Sequence, residues 1–313
     1  MKLDDVDFNF SGNLSFENIT IFNTQKDTLF FSPRITVNPK SVQNALVDNN
    51  FDFENVSIEE GVFYTENYEN IDFLKANNPQ KRNLLVKILN LKNFKLVVDD
   101  RISLIDLKIN DLSQVEDLLN FSIINSKIDV INNKKYKNIS GDFKIFGSDI
   151  LLENFNFLVD NSSFRTNLKI KNINNIDSLI YSGNINNSKI ISSDFISKSK
   201  TTEFILSSNF IGDLKQVSFT DLIIENNKTK LDANINFDFP NEDKFSNIEL
   251  FFNKFNSSSA ELESIYPNVF GSILPSSLKS IGDFMFSGKL LYINDRIKSN
   301  FQLKNNNGEI YTD

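Results

Sequence analysis

The feature that most constrains this chain is an alternation of apolar and polar residues with a period of two. Its clearest run is Leu231, Ala233, Ile235, Phe237 and Phe239, with polar residues between them. This period is typical of a β-strand with one apolar and one wet face. The alternation recurs at Val6, Phe8 and Phe10, at Leu14 and Phe16, at Phe51 and Phe53, at Phe94 and Leu96, at Phe155 and Phe157, at Phe164 and Leu168, at Ile248, Leu250 and Phe252, and at Phe301 and Leu303. We therefore predict strands along the whole chain.

Clusters of Asn, Asp, Gly and Ser separate these runs, for instance at 132–133, 160–163 and 305–308. Such clusters form tight turns, and strands joined by tight turns predict an antiparallel meander. The apolar positions change from even to odd numbers between Phe16 and Ile19, so we expect a bulge there that keeps the apolar side chains on one face of the sheet. The predicted fold class is mainly β: an elongated, curled antiparallel sheet that forms a repeating groove, with a few short helices.

Three short helical segments are predicted. One follows Pro39, a second covers 259–266 and ends at Pro267, and a third runs from 275 to 280 with Gly282 as its cap. No linker or change in composition marks a domain boundary. We therefore treat 1–313 as one elongated segment, with subdivision near 139 and 257 as the alternative.

Composition excludes several classes of function. The chain has no Cys and no His, which removes thiolate chemistry and the commonest general base and metal ligand. Charges of both signs are interspersed with a net charge of −8, so nucleic acid is not an expected partner. No run of 18 apolar residues and no targeting segment occurs, so this piece is not expected to span a membrane by itself.

Acidic neighbours such as those at 4–5, 59–60 and 99–100 are poor catalytic pairs, because adjacent residues on a strand point to opposite faces. Calcium-binding, Walker A and other glycine-rich nucleotide loops are missing from the sequence. We predict no catalytic residue, no metal site and no cofactor, and a protein that is not an enzyme.

An apolar sheet face of this extent needs a cover. About twenty strands at roughly 4.8 Å spacing would form a sheet about 90 to 100 Å long. The cover is either a second sheet, closure into a barrel, or an apolar ligand in a U-shaped trough. Periodicity alone supports a sealed core and an open trough equally well. The residues expected to line a lipid groove are Phe8, Phe10, Phe16, Phe51, Phe53, Phe94, Leu96, Phe155, Phe157, Phe164, Leu231, Ile235, Phe237, Leu250, Phe252 and Phe301.

Two segments resemble TamB-like proteins of the AsmA-like superfamily, of the Bacteroidetes type. The first, 8–76, has a strand bearing Gly12, the run Asp27, Thr28 and Leu29, and the strand pair FDFENVSIEEGVFY. The second, 257–290, has a short helix followed by a Gly-bearing strand. The residues that carry the second resemblance are Leu262, Ile265, Pro267, Leu278, Ile281, Gly282 and Gly288.

This resemblance implies a translocation and assembly module protein of the Gram-negative periplasm, whose β-groove moves phospholipid outward between the two membranes. It also implies a role in protein secretion and a partner in outer-membrane barrel assembly. The family's membrane helix and C-terminal domain have no counterpart here, so the chain is expected to be an N-terminal or middle fragment, membrane-associated through an anchor outside it. The alternatives are an extracellular β-helix or β-sandwich adhesin, a polysaccharide-degrading enzyme, and a structural spacer with a sealed core.

Overall fold

The computed structural model describes residues 1–8, 12–41, 51–67, 84–98, 101–129, 135–196, 200–239, 247–265, 281–293 and 296–312. Within these ranges the fold is mainly β, with nineteen strands of one sheet, as the alternation predicted. The strands are β1 (Asp5–Phe8), β2 (Leu14–Phe22), β3 (Thr28–Pro39), β4 (Phe51–Glu59), β5 (Val62–Tyr64), β6 (Leu84–Val98), β7 (Arg101–Val115), β8 (Leu118–Asp129), β9 (Lys135–Phe146), β10 (Asp149–Val159), β11 (Ser162–Lys171), β12 (Ile180–Ile191), β13 (Glu203–Gly212), β14 (Gln216–Glu225), β15 (Lys230–Asp238), β16 (Asn247–Ser258), β17 (Asp283–Ile293), β18 (Arg296–Asn305) and β19 (Gly308–Thr312).

Helix is a minor component of the described chain. The α-helix α1 (Ser259–Ile265) confirms the segment predicted at 259–266. The predicted helix after Pro39, the turn at 275–280 and Pro267 lie outside the described residues. Single 3-10 turns occur at Thr65–Asn67, Ile176–Ser178 and Ser192–Asp194.

The described chain divides into two units, one formed by 1–147 with 151–160 and the other by 148–150 with 161–313. In the first unit β4 and β5 together occupy one position between β3 and β6. They pair antiparallel with β3 but parallel with β6, so the purely antiparallel meander is wrong at this place. Parallel neighbours need a connection of about a dozen residues or more, which the chain between Tyr64 and Leu84 is long enough to provide.

In the second unit the strands from β11 to β19 pair antiparallel, each with the next in the chain. The meander prediction is confirmed here. Alternate strands carry one extra residue relative to their neighbours: β12 near Asn187, β14 near Asp221 and β16 at Asn253. Asn187 and Asp221 have φ of 44° and 52°, in the left-handed region that Asn and Asp tolerate best after Gly. Each bulge bends its strand and moves the apolar set to the other parity.

The strands of the first unit bend by the same means. Residues with positive φ interrupt them within or at the ends of apolar runs, and the predicted parity change between Phe16 and Ile19 falls at one of them, Asn18. The others within strands of this unit are Asn93, Asp111, Asn125, Asn138 and Asn154, while Lys26, Glu60, Glu116 and Asp160 lie in the turns between strands. Most of these are Asn or Asp, so a polar-rich sequence supplies a bend that would otherwise need Gly.

Small residues accompany the bends, and we call them the crease. Its members are Ser32, Gly61, Ser126 and Gly141 in the first unit and Ser188, Ser208, Ala233 and Gly288 in the second, all of them buried except the half-buried Gly288. The hydroxyls satisfy backbone groups beside the bulges: Ser188 Oγ accepts from Arg165 N at 2.9 Å, and Ser208 Oγ donates to Thr220 O at 3.0 Å. A larger side chain would not fit at the buried positions, and an apolar one would not satisfy the backbone groups beside the bulges.

The left-handed conformation at Asn187 gives a test of the bend. Replacing Asn187 by Val places a β-branched residue at positive φ and is expected to lower the free energy of unfolding by about 1 to 2 kcal/mol, as measured by urea denaturation. Asn187→Gly removes the same contact with Ser207 Oγ but tolerates the backbone conformation. An equal loss for Gly and Val would show that the side-chain contact, and not the conformation, matters.

Candidate functional site: the apolar sheet face

In the second unit an aromatic row crosses the strands on one face of the sheet. Tyr181, Phe210, Phe219 and Phe237 come from β12, β13, β14 and β15, and successive ring centroids are 6.5, 6.2 and 6.3 Å apart. The register explains the row, because Phe210 lies opposite Phe219 across the β13–β14 pair. Cross-strand aromatic pairs of this kind stabilise a sheet and present a continuous apolar surface.

A second aromatic group lies on β16, β17 and β18 of the same unit. The ring of Phe286 is 5.0 Å from the ring of Phe252 and 5.0 Å from that of Phe301. Phe255 and Phe284 form a neighbouring edge-to-face pair at 5.7 Å. These residues lie on one face of three successive strands, so the apolar face continues across β16, β17 and β18.

The first unit has its own aromatic row. Phe121 and Phe143 lie opposite one another on β8 and β9 with stacked rings 4.9 Å apart. Phe155 and Phe157 on β10 extend the row, at 5.9 Å from Phe143 to Phe155 and 5.3 Å between the two. Tyr136 closes it at 6.0 Å from Phe157.

Five of the residues predicted to line a groove lie in these rows: Phe155, Phe157, Phe237, Phe252 and Phe301. The half-buried strand residues Phe16, Phe51, Phe53, Leu96, Phe164, Leu231, Ile235 and Leu250 lie outside the rows. Phe94 is buried and stacks on Phe30 at 6.3 Å. Phe8 lies in β1, and Phe10 lies outside the described residues.

Sequence reasoning missed other members of the rows. They are Phe121, Tyr136, Phe143, Tyr181, Phe210, Phe219, Phe255, Phe284 and Phe286. Several carried a usable signal, since Phe284 and Phe286 alternate in the same way as the residues that were chosen. In β14 the bulge hides the signal, because Phe219 and Leu222 share a face although their spacing is odd.

The residues of the two resembling motifs take structural positions. Leu29 is buried in β3, which begins at Thr28, and Asp27 lies in the turn before it, where Asn23 Oδ1 accepts from Asp27 N at 2.8 Å. Gly12 and Gly282 have φ of 84° and 69° beside strands. Gly288 lies inside β17 and Leu262 in α1.

The aromatic rows are only partly covered by protein. In the described chain the buried apolar side chains are mostly Ile, Leu and Val, with Phe94 and Phe204 among them. The side chains of the aromatic rows are half-buried. Half-buried aromatic residues side by side on successive strands form a surface on which an apolar molecule can lie.

The other face of the sheet carries cross-strand ion pairs. Lys127 Nζ lies 2.7 Å from Asp106 Oδ2, and its hydrogen bond lowers the pKa of Asp106 below the ordinary value. On β18 and β19 the hydrogen bonds from Lys304 and Tyr311 lower the pKa of Glu309 to about 2. Glu249 has its pKa lowered in the same way by Lys289. Carboxylates are charged at neutral pH in any case, and these ion pairs extend the charged range to lower pH, which suits a face in contact with water.

In the described chain no group of three or more Asp or Glu side chains could hold a metal ion. No helix in the described ranges is long and apolar enough to cross a membrane. Comparisons with protein-family models, with curated proteins and with solved structures give no match.

Proposed function

We propose that this chain is a lipid-carrying segment of a TamB-like envelope protein, in which the apolar sheet face shields phospholipid acyl chains. The observation that carries the proposal is the partial exposure of the aromatic rows on that face. The buried apolar side chains of the described chain are mostly Ile, Leu and Val, while the aromatic side chains of the rows stay half-buried. A protein whose core were sealed would bury its largest apolar side chains most completely.

Energetics favour a lipid as the occupant of such a face. Transfer of hydrocarbon from water gains about 0.8 kcal/mol per methylene, so a sixteen-carbon chain gains roughly 13 kcal/mol when it is shielded. Rows of aromatic residues that cross successive strands shield the chain at every step. A lipid therefore moves along the face over small barriers, without covalent chemistry, while its head group stays in water.

The cellular setting is proposed on the resemblance of 8–76 and 257–290 to TamB-like proteins. In that setting the segment lies in the periplasm of a Gram-negative bacterium, associated with the membrane through an anchor outside the segment. Phospholipid moves between the inner and outer membranes, and an outer-membrane barrel assembly protein is a second partner, which links the segment to protein secretion. Nucleic acid, metals and cofactors have no part in the proposal.

The extracellular β-helix is a poorer description of this chain. A β-helix stacks parallel strands in rungs, whereas all neighbouring strands from β11 to β19 pair antiparallel. A sealed spacer or a β-sandwich adhesin would bury the aromatic rows under a second layer of protein, and such a layer would leave those side chains with little exposure.

Phospholipid transfer between vesicles tests the proposed function. Donor vesicles carry a phospholipid with a pyrene-labelled acyl chain at a density at which pyrene forms excimers. Acceptor vesicles contain unlabelled phosphatidylethanolamine and phosphatidylglycerol. We expect the purified chain to raise the rate of pyrene monomer appearance in proportion to its concentration. A folded chain that leaves the rate at its protein-free value and binds no labelled lipid would contradict the proposal.

A further inference from the structure

We infer that one rim of the second unit binds the surface of a phospholipid bilayer. Because β11 to β18 pair antiparallel in sequence, every second connection lies at the same end of the sheet. We call this end the β11–β18 rim, and it runs from Lys171 at the end of β11 to Arg296 at the start of β18. The binding is independent of the proposed function, whereas its use as the place where a lipid enters the apolar face rests on that function.

Exposed aliphatic side chains are concentrated at the β11–β18 rim. In the described part of the second unit seven Ile and Leu side chains are exposed, and six of them lie at this rim, from 37% exposed at Ile293 to 69% at Ile297. At the opposite rim the turns 226–229 and 306–307 are built from Asn, Lys and Thr. The six residues are Ile176, Ile180, Ile211, Leu214, Ile293 and Ile297.

These aliphatic side chains are not simply part of the aromatic row. Ile180 precedes Tyr181 of the row in β12, and Ile211 follows Phe210 of the row in β13. Adjacent residues in a strand point to opposite faces, so Ile180 and Ile211 point away from the row. A group of exposed aliphatic side chains on the wet side of a sheet marks an interaction surface.

The arrangement of the rim fits a bilayer better than a protein partner. Successive connections at the rim are two strand spacings, or about 10 Å, apart. Charged residues separate the aliphatic ones, since Lys215 follows Leu214 and the pair Arg296 and Lys298 flanks Ile297. The centre of a protein interface is depleted of charge, whereas the interfacial layer of a bilayer accepts single aliphatic side chains with cations beside them at the phosphates.

The charges of the rim suit zwitterionic head groups. Lysines within the strands pair with carboxylates, as Lys289 does with Glu249. The rim also carries carboxylates, and Asp213 Oδ1 accepts from the backbone N of Lys215 and Gln216 at 2.7 and 2.9 Å. Cations free to contact phosphates, together with carboxylates near head-group amines, complement phosphatidylethanolamine without a need for anionic lipid. The rim cations that make no ion pair in the described chain are Lys171, Lys215, Arg296 and Lys298.

The aromatic row extends to this rim. A cleft of about 450 Å³ has Phe237 of the row and Ile293 of the rim among its lining residues. Phe239 N donates to Lys215 O at 2.6 Å, which holds the end of β15 beside the turn between β13 and β14. An acyl chain that leaves a bilayer at the rim therefore meets the aromatic row at once.

Cosedimentation with sucrose-loaded vesicles of phosphatidylcholine and phosphatidylethanolamine tests the contact. We expect the chain to sediment with the vesicles, and the double variant Leu214→Ser with Ile297→Ser to lower its partition coefficient at least about tenfold. Both side chains are more than half exposed, so the fold should be retained. The matched control, Met285→Ser with Ile310→Ser, changes two exposed apolar residues away from the rim and should stay within about twofold of the unmodified chain.

A fluorescent label identifies the surface that touches the vesicles. The chain has no Cys, so Leu214→Cys and Ile310→Cys each carry a single nitrobenzoxadiazole label. We expect vesicles to shift the emission of the Leu214→Cys label to the blue and to leave the Ile310→Cys label unchanged. A blue shift of the Leu214→Cys label that grows with protein concentration without vesicles would assign the rim to a second copy of the chain and overturn the proposal.

The remaining outcomes separate this contact from lipid transfer. No sedimentation of the unmodified chain, or equal losses for the two double variants, would overturn the rim contact. If such a chain still transfers pyrene-labelled phospholipid, the proposed function stands without the rim. Vesicle binding through the rim by a chain that neither transfers nor binds labelled lipid would support the contact and contradict the proposed function.

Discussion

Replacing Gly288 by alanine is expected to lower the free energy of unfolding by about 3 to 5 kcal/mol. Gly288 lies inside β17 with φ of 135°, a conformation that L side chains rarely adopt. An added Cβ would overlap the carbonyl oxygen of Asn300 and the backbone of Phe301 on β18. Because both obstacles are backbone atoms of a paired strand, the clash cannot relax by a change of rotamer. Urea denaturation followed by far-ultraviolet circular dichroism measures the loss.

Gly308→Ala is the matched control for this prediction. Gly308 also has a positive φ, of 153°, but no atom lies within 4 Å of the position its Cβ would take. Conformational strain alone is expected to cost about 1 kcal/mol there. Similar losses at both glycines would mean that close approach of β17 and β18 at the crease contributes nothing.

Introducing a charge on the apolar face should weaken lipid binding. Phe237→Asp places a carboxylate in the aromatic row, beside Phe219 and Phe239, whose ring centroids each lie 6.3 Å from that of Phe237. A shielded acyl chain would then have to desolvate that charge, so we expect the affinity for a pyrene-labelled phospholipid to fall at least about tenfold, or about 1.4 kcal/mol.

Phe251→Asp controls for a loss of stability. Phe251 lies on the neighbouring strand β16, opposite Asn234, and is 47% exposed on the polar face. The same chemical change there is expected to leave the affinity within about twofold of the unmodified chain. Equal losses for the two variants, or no loss for either, would place the lipid elsewhere or exclude it.

Strands without bulges were predictable from the sequence. β15 contains the uninterrupted run from Leu231 to Phe237, and its register with β14 and β16 puts that run on the apolar face. The alternation of a straight strand is a direct consequence of its pleat, so two-residue spacing is enough to find its inner side chains.

Positions at the crease were not predictable. Ser188 and Ser208 look like polar, outward-facing residues in the sequence, yet Ser188 is completely buried and Ser208 nearly so. The extra residue at Asn187 reverses the parity of β12, and a hydroxyl is needed there to satisfy backbone groups freed by the bulge. An Asn inside a strand marks a turn and a bulge equally well, so the sequence does not distinguish them.

The parallel pairing of β4 and β5 with β6 was also beyond sequence reasoning. Turn residues in the sequence indicate antiparallel neighbours. The parallel pairing of β4 with β6 depends instead on contacts between residues far apart in the chain, such as Phe53 with Val86. The partial burial of the aromatic rows is a tertiary property in the same sense. Alternation predicts which side chains face inward, and only the structure reveals that the aromatic side chains of the rows are half-buried.

Native mass spectrometry of the chain, purified without detergent after export to the periplasm of a Gram-negative host, tests the central claim most directly. We predict that the folded monomer retains phospholipid, seen as mass increments that match the lipids extracted from the same sample. A monomer at its bare polypeptide mass, with the β-sheet signal intact and no lipid in the extract, would contradict an open lipid-shielding face and favour a sealed structural sheet.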